Sequence, residues 1–215
     1  MKTNIIFDFD GVIINSHRTK TEAFNKIFLN FGKKIGYKSR NFHLKNIGKS
    51  RYFKFKYVYK YFLNQSINKK IITELDTKFE KYTSNKIINM KISSYLLEFL
   101  NKKKKYNFYI STSTPKNKIR EILKKKKLLN YFKKIYGAPQ SKYQHVKSIK
   151  KNKCDSIFIG DSIEDFKVAK KLQIMFILKN NSENKAFRQK NKKINNINSF
   201  KKFDKVISNI LCRKR

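Results

Sequence analysis

Acid is what this chain lacks most. It carries 14 Asp+Glu against 53 Lys+Arg in 215 residues, a formal net charge of +39. Tryptophan is absent, and there are only two prolines, two cysteines and three histidines. No apolar run approaches the ~20 residues that a membrane span needs, so no membrane association is expected. The chain enters Asn4–Phe9 directly, without a basic segment, a long apolar run and a small-residue cleavage site. Cys154 and Cys212 have no metal-type spacing, and His17, His43 and His145 are widely separated, which argues against a disulfide scaffold and a zinc site. A reducing, cytoplasmic setting is the simplest expectation.

The excess of base raises the question of a polyanion partner. Lys, Asn and Ile are all written with A/T-rich codons, however, and all three abound here. The lysines are spread along the whole length, and the runs Lys102–Lys105 and Lys124–Lys127 fall at an expected loop and helix end. The charge is therefore read as codon bias rather than as a nucleic-acid surface. A basic nucleic-acid-binding protein, or one that trims phosphate from nucleic-acid ends, stands as the alternative from another class.

What is present is a globular pattern, with 40% apolar and 14% aromatic residues. Short apolar β-type runs occur at Asn4–Phe9, Asn107–Ser111, Lys134–Gly137, Ser156–Gly160 and Gln173–Leu178. Helical stretches lie between the later ones, at Lys116–Lys126, Gln144–Lys151 and Ser162–Lys171. This alternation predicts an α/β fold, a Rossmann-like parallel sheet covered on both faces. Between Phe9 and Asn107 the periodicity is helical, as in Ala23, Phe24, Ile27, Phe28 and Phe31. The expected organisation is an α/β core of residues 1–14 and 91–215, with a helical subdomain of residues 15–90 inserted after the first strand.

Ligands of open parallel sheets bind beyond the carboxyl ends of the strands. Asp8, Asp10 and Gly11 follow the first strand, and Ser111-Thr112-Ser113-Thr114-Pro115 closes the second. Lys142 follows the third strand, and Gly160-Asp161-Ser162-Ile163-Glu164-Asp165 the fourth. Five of the 14 acids thus gather at two strand ends: Asp8, Asp10, Asp161, Glu164 and Asp165. Taken singly each element has an ordinary reading. Asp-x-Asp-Gly makes turns, and Gly-Asp-Ser before a helix is an N-cap. Together, converging carboxylates repel unless a cation joins them, and hard oxygen ligands suit Mg²⁺.

The four elements, in this order and context, resemble the four motifs of the haloacid dehalogenase-like superfamily with a helical cap. The nearest likeness is to its phosphoglycolate phosphatase and β-phosphoglucomutase types. The resemblance implies a Mg²⁺-dependent phosphatase acting on a small anionic phosphorylated metabolite, as a monomer or dimer. It assigns Asp8 as the nucleophile, Asp10 as the acid/base and Lys142 as the third-motif lysine. It places Thr112, Ser113 (through its backbone N–H) and Gly11 around the phosphoryl group. Asp8, Asp10, Asp161 and Asp165 become the metal set, with Asp165 either binding the ion or orienting Lys142. The insert occupies the place of the family's cap, where Gly48-Lys49-Ser50-Arg51 resembles a loop whose arginine holds a second phosphate. Lys49 and Arg51 are accordingly expected to read a second anionic group. Lys20 stands where the mutases carry a hinge histidine, so hydrolysis is favoured over the alternative, a sugar phosphomutase.

Overall fold

The computed structural model describes residues 2–150 and 154–212. Lys151, the last residue of one expected helix, lies outside them, as do Met1 and residues 213–215. Strand β1 (Thr3–Phe7) is followed by four helices, α1 (His17–Leu29), α2 (Lys33–Lys45), α3 (Arg51–Phe62) and α4 (Lys69–Asn89). Helix α5 (Ser94–Leu100) leads into β2 (Tyr106–Pro115), and the chain then alternates. It runs through α6 (Lys116–Lys125), β3 (Lys134–Ala138), α7 (Lys142–Lys150), β4 (Ser156–Gly160), α8 (Ile163–Lys171) and β5 (Met175–Lys179). Helix α9 (Lys185–Lys190), β6 (Asn196–Ile197) and α10 (Phe203–Cys212) complete it. The six strands form one parallel sheet in the order β3-β2-β1-β4-β5-β6. This is the expected Rossmann-like α/β core. The two-residue β6 escaped the sequence reading because it is too short to show a period.

Strand periodicity explains the two layers over the sheet. Ile5 and Phe7 of β1, Phe108 and Ile110 of β2, and Ile157 and Ile159 of β4 pack on one face with α5, α6 and α10. The intervening Ile6, Tyr109 and Phe158 pack on the other with Val146 and Ile149 of α7 and Ala169 of α8. Burial on both faces is why β1 reads as a continuous apolar run rather than an alternating one. The chain runs outward from β1 through β2 to β3 and then returns to place β4 on the other side of β1, so β2, β1 and β4 present adjacent carboxyl ends at the switch point.

Helices α1 to α4 carry a separate apolar cluster that includes Ala23, Phe24, Phe28, Phe55, Val58, Leu75 and Phe79. Its aromatic centre is tight, with Phe24 5.3 Å from Phe55 and 5.4 Å from Phe79 between ring centroids. Helix α3 starts where Ser50 accepts a hydrogen bond from the Phe53 N–H, so this serine acts as an N-cap. No helix among the described residues is long and apolar enough to cross a membrane.

Candidate active site

Asp8 stands immediately after β1, tied by its backbone N–H to the Ile159 carbonyl of β4 at 2.9 Å. Its side chain is buried, and so are those of Lys142, Asp161 and Asp165. Lys142, the first residue of α7, places its Nζ 2.7 Å from Asp8 Oδ2 and 2.6 Å from Asp165 Oδ1. The other oxygen of Asp165 belongs to the capping box of α8, accepting from the Ser162 N–H at 3.2 Å and the Ser162 hydroxyl at 2.6 Å. Asp165 thus links Lys142 of α7 to Ser162 at the start of α8.

Electrostatics sharpen the arrangement. Burial, partly offset by Lys142 and reinforced by Asp165, Asp161 and Asp10, pushes the Asp8 carboxyl up to about 8. Burial alone would lower the Lys142 ammonium, but Asp165 and Asp8 raise it above the usual lysine range. Asp8, Asp161 and Asp165 each offer an oxygen within 4.8 Å of the others. Asp161 uses Oδ2 to accept from Asn181 Nδ2 at 2.7 Å and to meet His17 Nε2 at 2.5 Å. Its Oδ1 is left buried with no partner. An orphaned carboxylate oxygen beside two further buried acids fits a hard divalent cation.

Asp10 lines the same cavity but has partners of its own. Its Oδ1 accepts from the Ser16 hydroxyl at 2.5 Å, and its Oδ2 accepts from Thr114 Oγ1 at 2.8 Å and meets Lys20 Nζ at 2.6 Å. Burial would raise this carboxyl, but Lys20 and the Ser16 hydroxyl hold it well below the carboxylate range. The expectation that Asp10 joins the metal set therefore needs correcting for its side chain, whose oxygens are both taken. The two acids of the opening motif have been driven apart in character, one toward the neutral form and one toward the ionised form.

Gly11 follows at φ +79°, and a Cβ there would overlap the Asp161 carboxylate and the His17 ring. Its conformation and the close approach both require glycine. Thr112 and Ser113 line the same cavity, a small one of about 50 Å³ between the sheet and α1 to α4. The Ser113 hydroxyl donates to the Gly48 carbonyl at 2.6 Å, pinning the loop before α3 onto β2. Glu164 stays outside the acidic cluster, 3.9 Å from Lys167 on its own helix.

Lys49 and Arg51 reach the cavity wall. Lys49 Nζ sits 4.8 Å over the Phe53 ring. The Arg51 guanidinium, however, is engaged by α4: Nε is 2.5 Å from Asp76 Oδ1, and one terminal nitrogen pairs with Glu80. The expectation that it is free to hold a second anion is corrected by these two acids of α4.

Sequence reasoning missed Ser16, His17, Thr114, His43 and Lys54. The first two follow the opening motif, and His17, Lys20 and Phe24 are spaced by three and four, so one face of α1 turns all three into the cavity. That signal was readable. His43 and Lys54 come from different helices and meet only through packing.

A parallel α/β sheet with buried acids and a lysine at adjacent strand ends, roofed by helices inserted after the first strand, defines a class. Residues 5–179 match the family model for haloacid dehalogenase-like hydrolases. The chain belongs to that family of hydrolases. No curated protein sequence shows significant similarity to it. Among solved structures, a protein described as a predicted phosphatase from Clostridium acetobutylicum superposes with a TM-score of 0.73 at 19% identity, covering 97% of this chain and 99% of that one. A β-phosphoglucomutase from Clostridium difficile gives 0.73 at 18% identity, over 97% and 96%. A predicted phosphoglycolate phosphatase from Haemophilus somnus gives 0.70 at 16% identity, over 96% and 98%. At such identities the likeness is one of fold.

Proposed function

We propose that the protein is a Mg²⁺-dependent phosphatase that hydrolyses a small phosphomonoester through a phosphorylated Asp8, with helices α1 to α4 as its cap. The observation that carries the reading is the convergence of Asp8, Asp161 and Asp165 with Lys142 at adjacent strand ends, where Asp8, Lys142 and Asp10 line one cavity. Asp8 and Asp161 would hold the ion, with Asp165 beside them. When bound, Mg²⁺ neutralises charge on the phosphoryl oxygens and keeps the neighbouring carboxylates ionised.

An Asp8 oxygen attacks phosphorus in line while the bond to the leaving oxygen breaks, and that oxygen takes its proton from Asp10. Asp10 enters this step protonated, its carboxyl having taken a proton from solvent as substrate binds. Water then attacks phosphorus, gives its proton to Asp10, and the bond to Asp8 breaks to release inorganic phosphate. Lys142, Thr112 and the Ser113 N–H hold the remaining oxygens, where charge builds in the transition state. Gly11 lets backbone and Asp161 approach.

The test is a panel of phosphomonoesters assayed with Mg²⁺ and again with excess chelator. Release of phosphate from at least one ester, lost on chelation and restored by Mg²⁺, supports the reading. No release across the panel, or release that chelator leaves untouched, overturns it.

A further inference from the structure

Across the cavity from Asp8, the cap buries a second lysine that the proposed mechanism does not use. Lys54 of α3 is only 3% exposed and lines the cavity, yet no carboxylate among the described residues lies within ion-pair reach of it. Its Nζ has one polar neighbour, Nδ1 of His43 at 3.2 Å, and rests 5.6 Å from the centroid of the Phe24 ring. His43 is buried too, 4.5 Å from Phe24. An ammonium has three donors and almost never lies buried without an anion. The charges it feels are mostly of its own sign: Lys20, Lys142 and Lys49 against Asp10 alone.

We infer that Lys54, oriented by His43, is the specificity-determining residue of the cap and receives a second anionic group, a carboxylate or a phosphate, at the far end of the substrate. The inference rests on the phosphatase reading and deepens it by naming the substrate class. Arg51 cannot take this role while Asp76 and Glu80 hold its guanidinium. Lys54 faces the cavity with two donors unused. Desolvation and the neighbouring Lys20 draw its ammonium down to about 7. Phe24, Phe79 and Ile47 supply apolar wall to the same cavity.

The experiment measures binding, apart from turnover, by calorimetric titration in excess Mg²⁺. The probes are methylphosphonate, which has one anionic group, phosphonoacetate, which adds a carboxylate, and methylenediphosphonate, which adds a phosphonate. Wild type should bind one of the two longer probes more tightly than methylphosphonate. Lys54→Met should weaken that probe roughly tenfold or more while changing methylphosphonate less than about threefold, as loss of one charge-assisted contact requires. Which longer probe responds tells carboxylate from phosphate. The variant should also melt no lower than wild type, since an apolar isostere replaces a buried, unpaired charge. A structural lysine would instead lower the melting temperature. Equal weakening of all three probes, or none, overturns the proposal. If both Lys54→Met and Lys54→Gln fail to fold, Lys54 is a structural element and the proposal also falls. Selective loss of binding in a protein that hydrolyses no ester would overturn the phosphatase reading and leave this one standing.

Discussion

Two buried lysines face one cavity from opposite sides, each with a histidine beside it. In the core, Lys142 is gripped by Asp8 and Asp165, and both acids raise its ammonium above the ordinary range. In the cap, Lys54 has His43 in place of an acid, and its ammonium is drawn down. The first lysine is a finished part, its charge balanced within the fold and its position fixed by α7 and α8. The second is a buried cation with no acid beside it among the described residues. Burial alone therefore does not tell a charge matched by the fold from one left unmatched. The partner list does.

The comparison can be broken most severely at Asp8. Asn is nearly isosteric but cannot attack phosphorus, so Asp8→Asn should lower phosphatase rate by roughly three to four decades while the circular dichroism spectrum and cap remain intact. Comparable rates in variant and wild type would mean that the core network is structural only.

The core histidine offers the next largest effect. His145 is fully buried, with Nδ1 3.2 Å from Ser111 Oγ, and burial together with Lys142 draws it down to about 4. Its folded pKa lies below its unfolded value near 6.5, so the unfolded chain binds more protons between those limits. Stability should be intact above about pH 6.5 and fall by about 3 kcal/mol as pH drops to 4. His43 in the cap, lowered by burial and Lys54, should add loss of the same sign. Denaturant unfolding across this window should flatten measurably in His145→Phe, which keeps a ring against Tyr136. An unchanged slope would contradict the assignment.

Arg51 sharpens the contrast inside the cap, because it is the buried cation there that does have acids. Arg51→Met should cost about 2 kcal/mol, less than a fully buried pair because Asp76 and Glu80 are partly exposed. That loss should appear in denaturant unfolding, whereas Lys54→Met should cost nothing. Reversed results would exchange the roles of the two residues.

The smallest effect is at Lys20. Removing its ammonium in Lys20→Met lets the Asp10 carboxyl rise toward ordinary values, so the acid limb of kcat/KM should move up by about 1 pH unit or more. A profile identical to wild type would show that Lys20 does not govern Asp10.

Much of the core was legible because its logic is local. Ile5-Ile6-Phe7 announces a strand buried on both faces, and the residues that follow each strand necessarily meet at one edge of the sheet. Asp8, Thr112, Lys142, Asp161 and Asp165 could be read that way, and the structure brings them to one place. Asp10 was placed correctly in the chain but not in its partnerships, since the Ser16, Lys20 and Thr114 contacts depend on how α1 turns and how β2 ends. The cap hid its chemistry for a different reason. Arg51 stood out by its loop but is neutralised by acids 25 and 29 positions away on α4, and Lys54 was one lysine among many. In so basic a chain, only packing reveals which cation lacks an anion.

The central claim is that Asp8 carries the phosphoryl group. The direct measurement is acid quenching of the protein during turnover of ³²P-labelled acetyl phosphate with Mg²⁺, followed by peptide mapping. The account predicts an acid-stable, hydroxylamine-labile label on the peptide that holds Asp8, absent in Asp8→Asn. Sustained turnover with no label on that peptide would contradict it.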